Sequence, residues 1–310
     1  MLEHRFAKAV AFATFVLLVI GGTVNATGSS LACPEPTFVC NGELFPAMTG
    51  GVFYEHGHRL VAETVGILQL ILSVLLWRRR PDLRWLAGLL LAMIAIQATL
   101  GAITVATKLP WYVSTGHLLL GMSYFATLIY TAFRTAPPTS VVALDQKARR
   151  RRELGPARTW IVVACSAVFL QLLVGALVRH LGAALVCLGM PTCTLGGDWW
   201  PDASVQQLHM IHRVVGVLVG IVTTVAAVQV WRHARNWPRL RIVAILAPLL
   251  VLAQIGLGIL TVMSRRDVPL AVGHFAGATS LWALWISAWL MTRPPSAARE
   301  EILLAPEAVT

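Results

Sequence analysis

Charge is scarce in this chain of 310 residues, and negative charge scarcer still: Asp, Glu, Lys and Arg make up 13% of it, and only 14 of those side chains are acidic. A water-soluble protein of this length needs a more polar surface, so the shortage excludes an ordinary soluble two-domain enzyme. Cysteine is also thin. Four of the five fall into two pairs, Cys33 with Cys40 and Cys187 with Cys193. Neither pair has the two-residue spacing of a zinc knuckle, and no third or fourth ligand stands beside it in sequence. A cleavable leader also lacks its last part. Arg5 and Lys8 precede an apolar stretch, but no Ala-x-Ala-like site follows, so that stretch reads as a retained helix.

What is abundant is apolar sequence, with 57% hydrophobic residues and a mean hydropathy of +0.71. Runs of about 20 apolar residues, the length that crosses a bilayer as a helix, recur eight times. They lie near 7–29, 56–77, 84–107, 110–133, 159–181, 208–231, 238–263 and 269–292. The expected fold is an all-α membrane protein with eight transmembrane helices, its main partner the lipid bilayer.

A net charge of +11 invites a nucleic-acid reading until the basic residues are sorted by loop. Nineteen of the 25 Lys and Arg fall in alternate segments, including Arg78–Arg80, the Arg149–Arg152 run and Arg232–Arg241. Enrichment of this kind marks cytoplasmic loops, so both termini are expected inside and no nucleic acid is bound. Contact with anionic lipid heads is a secondary use. The cysteine pairs then fall in two outward loops, where an oxidising exterior lets each form a disulfide. Cys165 stands alone within the fifth span.

The chain repeats itself. An offset of 154 matches Gly21 with Gly175, Val24 with Val178, Gly28 with Gly182, Cys33 with Cys187 and His58-Arg59 with His212-Arg213. An offset of 157 then matches Gln97 with Gln254, Gly101 with Gly258, Thr104 with Thr261 and Gly116-His117 with Gly273-His274. Each half therefore has four spans in a parallel repeat, giving two tandem pseudo-symmetric four-helix bundles at 1–133 and 159–293. A basic cytoplasmic linker, 134–158, joins them, and a cytoplasmic tail, 294–310, follows.

The repeat singles out four of the nine histidines, His58, His117, His212 and His274, each near the outward end of an even-numbered span. Two imidazoles at similar depth on different helices suit a haem iron, which takes axial nitrogens on opposite faces of a flat ring. Ionisable groups in lipid-spanning helices tend to mark function. The plain alternative for any single one is a hydrogen bond between helices, which duplication of all four disfavours. His209 lies one turn before His212 and competes as a ligand or supports it from behind. His56 receives no role. At the position of His209 the first half has Glu55, one turn from His58 and directed at the same cavity. A carboxylate there shuttles a proton or stabilises positive charge, or else it complements a helix N-terminus. Arg59 and Arg213 pair with haem propionates or snorkel to the interface.

These residues resemble the haem A synthases of bacterial plasma membranes and mitochondrial inner membranes. The likeness covers nearly the whole chain through Glu55-x-x-His58-Arg59, Gly116-His117, His212-Arg213, Gly273-His274 and the loop cysteine pairs. It implies oxidation of the ring methyl of haem O to the formyl group of haem A for terminal oxidases. His58 and His117 would hold the substrate haem O, with Glu55 the catalytic carboxylate. His212 and His274 would hold a haem B for electron transfer. The cysteine pairs would be the family's two disulfides. A bacterial plasma-membrane location and a partnership with the farnesyltransferase that makes haem O follow from the same likeness. Self-association is left open. The competing reading is a di-haem b-type membrane electron-transfer protein, which the histidines fit equally well but which has no use for a carboxylate in one pocket alone. A haem transporter ranks below both, because all four ligand candidates lie near one face.

Overall fold

The computed structural model describes residues 1–37, 39–137 and 144–293, with no account of the side chains of 144–152. The tail at 294–310 and residues 138–143 of the expected linker lie outside the described residues. Among the described residues, eight long helices make up the fold: α1 (Leu2–Ala26), α2 (Gly50–Arg79), α3 (Arg84–Ala106), α4 (Trp111–Thr135), α5 (Leu144–His180), α6 (Ser204–His233), α7 (Pro238–Met263) and α8 (Val268–Thr292). A single turn at Pro81–Leu83 leads into α3. All eight carry a window apolar enough to cross a bilayer, with mean hydropathy from 1.2 to 2.6. Helix is the form such sequence must take in lipid, because every backbone N–H and C=O is then satisfied within its own segment.

The protein is thus an all-helical, multi-pass membrane protein. Its outward-facing side chains are apolar, as with Ile67, Leu249 and Leu252, all more than half exposed. Water would not tolerate so large an apolar surface, and lipid covers it.

The larger departures from the expected spans are early helix starts, although α1 stops at Ala26, short of the expected 29. Helices α2 and α6 start at Gly50 and Ser204, several residues before the apolar runs near 56 and 208. Hydropathy registers which residues are lipid-soluble, whereas the helix continues through the polar turn above the lipid. Helix α5 likewise reaches back to Leu144, so the Arg149–Arg152 stretch of the linker has helical backbone.

The neighbour order is the same in each half. Helix α1 packs on α2 and α4, and α3 closes the ring against the same two; α5 packs on α6 and α8, and α7 closes that ring. The halves meet where α1 and α4 touch α8 and where α4 touches α5. Small residues permit the close approach expected between lipid-spanning helices. A Cβ on Gly22 of α1 would lie 2.7 Å from the ring of Phe275 on α8. Polar contacts also cross: Trp282 Nε1 donates to the Met122 carbonyl at 3.1 Å, and Thr115 Oγ1 lies 3.0 Å from His180 Nδ1.

Within the first half a buried polar chain links three helices. The Tyr124 hydroxyl donates to Gln69 Oε1 at 2.7 Å, Gln69 Nε2 donates to Ser73 Oγ at 2.9 Å, and Ser73 donates to the Ala87 carbonyl at 3.3 Å. Replacing Tyr124 with Phe leaves a fully buried amide oxygen without its donor. The expected loss is about 1 kcal/mol, the scale of an interhelical hydrogen bond in a membrane protein. Reversible unfolding of Tyr124→Phe in mixed micelles measures it, and no change in stability would show that the chain of bonds contributes nothing.

Candidate functional site: paired imidazoles under two stapled loops

The four duplicated histidines sit on the even-numbered helices, and each ring abuts a glycine of an odd-numbered neighbour. A Cβ on Gly21 would lie 3.1 Å from His58 Cε1, and one on Gly101 would lie 3.2 Å from His117 Cε1. The second half does the same, with Gly175 at 3.1 Å from His212 and Gly258 at 3.2 Å from His274. These glycines marked the repeat in the sequence, but nothing there showed that they make room for imidazoles.

Ring orientation is set by hydrogen bonds. His117 Nδ1 lies 3.1 Å from the Gln97 carbonyl oxygen and His274 Nδ1 lies 3.0 Å from that of Gln254. A ring that donates from Nδ1 keeps its Nε2 lone pair for another partner, the arrangement metal-binding histidines use. The side chains of Gln97 and Gln171 donate to the carbonyls of His117 and His212, both at 3.0 Å. The Gln97 amide nitrogen also lies 3.3 Å from His117 Nε2, and that of Gln171 lies 3.1 Å from His212 Nδ1. His58 Nδ1 is buried without a partner.

In the second half the ring centres of His212 and His274 are 6.5 Å apart, with planes at 79°. A metal held between two imidazoles by bonds of about 2 Å sets their centres roughly 6 Å apart. The rings border a cavity of about 420 Å³, walled by α5 to α8 and by Gly22, Asn25 and Ala26 of α1. That volume is in the range of cofactor pockets. Spacing, glycine clearance and ring orientation together fit a flat iron macrocycle ligated on both faces.

His209 lines the same cavity, with its Nδ1 buried and unpartnered. His56 is buried beside Cys33 and Cys40, its ring nitrogen within 4.8 Å of their sulfurs. Sequence had offered no third group near that pair, and the structure supplies one. The zinc reading still fails, because Cys33 is bonded to Cys40 and Cys187 to Cys193, which removes the thiolates.

Arg59 and Arg213 do something the sequence did not suggest. Arg59 donates to the carbonyls of Cys33 at 2.9 Å, Val39 at 3.2 Å and Thr37. Arg213 donates to those of Cys187 at 2.7 Å, Gly189 at 2.8 Å and Thr192 at 2.9 Å. Each guanidinium staples a disulfide loop to the helix that carries the histidine beside it.

Glu55 joins the first staple. One carboxylate oxygen accepts from the Cys33 N–H at 2.8 Å and the other from Arg59 at 2.7 Å. Its side chain is 5% exposed and that of Arg59 14%, so this is a shielded ion pair one turn from His58. Higher in the same loop Glu35 accepts from the N–H groups of Asn41 and Gly42. A hydrogen bond from its own backbone, and then those two, hold its carboxyl below the usual carboxylate range.

An eight-span helical bundle with paired, glycine-backed imidazoles beneath cross-linked loops defines a multi-pass membrane protein. The profile of the COX15-CtaA family, described as cytochrome oxidase assembly protein, matches residues 4–286, and the chain belongs to that family. Among its relatives, the Heme A synthase of Geobacillus kaustophilus is 30% identical over 279 residues, covering 87% of this chain and 84% of the relative. That of Bacillus licheniformis is 27% identical over 269 residues, covering 84% and 86%. That of Bacillus cereus is 28% identical over 291 residues, covering 91% of both.

Because Arg59 holds three loop carbonyls, Arg59→Ala frees the segment between Cys33 and Cys40. Loss of charge-assisted hydrogen bonds is expected to raise loop opening roughly tenfold. The rate at which a membrane-impermeant phosphine reduces this disulfide, followed by thiol labelling, should rise accordingly. The Cys187–Cys193 bond is the internal control, and equal rates at both bonds would dismiss the staple.

Proposed function

We propose that this protein is a haem A synthase, which oxidises the ring methyl of haem O to a formyl group in a bacterial plasma membrane with both termini in the cytoplasm. The observation that carries the reading is an asymmetry. Imidazole pairs recur in both halves, yet only the first sets a carboxylate, Glu55, one turn from its ligand, where the second has His209.

His58 and His117, their rings seated against Gly21 and Gly101, would hold the substrate. His212 and His274 would hold haem B in the cavity of the second half, where such a group would supply one-electron transfer. Oxidising one methyl C–H bond gives up a proton and two electrons; the electrons go to an external acceptor, and Glu55, one turn from His58, is the carboxylate that would take the proton. Arg59 keeps that carboxylate in position and balances its charge. The stapled loop between Cys33 and Cys40 shields the site from the aqueous side, which strengthens each electrostatic contact beneath it. The enzyme that farnesylates haem to make haem O is the natural source of substrate. A two-haem electron carrier would share the histidines, and in it Glu55 would have only its loop contacts to Cys33 and Arg59.

Two measurements test this. Membranes containing the chain and a haem O source should yield formyl or hydroxymethyl haem on pigment extraction; folded, haem-loaded protein that leaves haem O unaltered rules the activity out. Glu55→Gln keeps one of the two acceptors, enough for the Cys33 N–H, so haem content should stay near wild type while conversion falls at least about a hundredfold, the low end of a general-base contribution. Full turnover in that variant would remove Glu55 from the chemistry.

A further inference from the structure

The cavity of the second half contains two arginines that no role described so far uses. Arg179 lies one residue from the end of α5, Arg266 in the turn just before α8, and both line the cavity with His212 and His274. Their hydrogen bonds go to uncharged groups near the end of α1. Arg179 Nη2 donates to the carbonyls of Gly21 and Gly22 at 3.3 and 3.4 Å, and Arg266 Nη2 to the carbonyl and side-chain oxygens of Asn25 at 2.9 and 3.0 Å. Arg179 Nε is buried with no partner, and its guanidinium lies 5.5 Å from the centre of the Phe275 ring. Among the described residues neither arginine forms an ion pair. Two half-buried guanidiniums facing one cavity without a carboxylate make a site for an anion, and their planar forks match carboxylates in particular.

The first half has neither. In the register that pairs Gly175 with Gly21, Arg179 falls on Asn25; in the register that pairs Gly258 with Gly101, Arg266 falls on Leu109. The backbone at the second position is the same in both halves. Leu109 and Arg266 have φ of 63° and 72°, following Lys108 and Arg265 at 59° and 56°. Their N–H groups donate to Thr104 and Thr261, five residues back, at 2.8 and 2.7 Å. One turn geometry therefore presents a leucine in the first half and a guanidinium in the second. His274 is six residues into α8, about 9 Å along its axis at the usual helical rise, so Arg266 stands nearer the loop end than the imidazole does.

We propose that Arg179 and Arg266 form a clamp for the propionate carboxylates of the haem in the second half, and that its absence leaves the porphyrin of the first half free to exchange. This rests on the haem reading above and adds what distinguishes the two pockets: a resident cofactor is gripped by its acid arms, while a substrate that must leave as product is not. Arg213 lines the same cavity, but it and Arg59 commit both terminal nitrogens to their loops, whereas Arg179 and Arg266 form their hydrogen bonds through Nη2 alone.

The test uses haem B and its dimethyl ester, in which both acid arms are blocked. The full-length chain carrying His58→Ala and His117→Ala, which silences the first half, is titrated with each porphyrin, and the paired-imidazole absorption band is read. The parent should prefer haem B over the ester by roughly tenfold or more. Arg179→Asn with Arg266→Leu, which installs the residues of the first half, should abolish that preference while leaving ester affinity unchanged. Arg179→Lys with Arg266→Lys should restore part of it. A parent that binds both porphyrins equally overturns the clamp and leaves the haem reading intact. So does an Asn/Leu variant that weakens both porphyrins by one factor, which is the signature of arginines that only cap α1. A parent that takes up neither porphyrin sinks both readings.

Discussion

A histidine ring inside a lipid-spanning bundle has no water to satisfy its nitrogens, and the fold is arranged around giving four such rings a place. The missing Cβ atoms of Gly21, Gly101, Gly175 and Gly258 let each odd-numbered helix approach the imidazole of its neighbour to van der Waals distance. Backbone carbonyls of Gln97 and Gln254 take up one nitrogen of the rings on α4 and α8. On α8 this leaves the other ring nitrogen of His274 beside a cavity with mostly apolar walls, a poor place for an unpartnered polar atom. The ring of four helices in each half follows from this: two helices carry imidazoles, and two supply the clearance that positions them.

The loops above the bundles are held by the same helices that carry the histidines. Arg59 and Arg213, each immediately after a histidine of α2 or α6, gather the carbonyls of a disulfide-closed loop. Peptide carbonyls near lipid need donors, and one guanidinium satisfies several at once. In the first half Glu55 completes this arrangement through the Cys33 N–H, so the carboxylate, the loop and the helix bearing His58 form one hydrogen-bonded unit. The opposite end of the bundle is tied more simply, by Arg80 and Arg134 around Asp82.

The halves show how a duplicated backbone can diverge in chemistry. Equivalent turns hold Leu109 and Arg266; equivalent helical positions hold Asn25 and Arg179, or Glu55 and His209. The cavity of the second half is also not closed by its own four helices, because α1 lends Gly22, Asn25 and Ala26 to its wall. The interface between bundles is thus part of the cavity wall, and the chain is more than two independent modules joined by a linker.

By itself the sequence determined the eight spans and their helical form, because a lipid environment leaves the backbone no alternative and apolar runs of that length have no other use. It also determined the membership of the four-histidine set and of the two cysteine pairs, through the internal repeat. Helix ends were less legible, since hydropathy stops at the lipid boundary and the helices of Gly50 and Ser204 do not. Beyond the two disulfides, partnerships between distant side chains were not legible. That Arg59 and Arg213 bind loops, that His56 sits against a disulfide, and that Arg179 and Arg266 share a cavity with His212 depend on residues far apart in the chain. Such contacts are decided by how helices pack and which carbonyls are left exposed at their ends, quantities that exist only once the tertiary structure has formed.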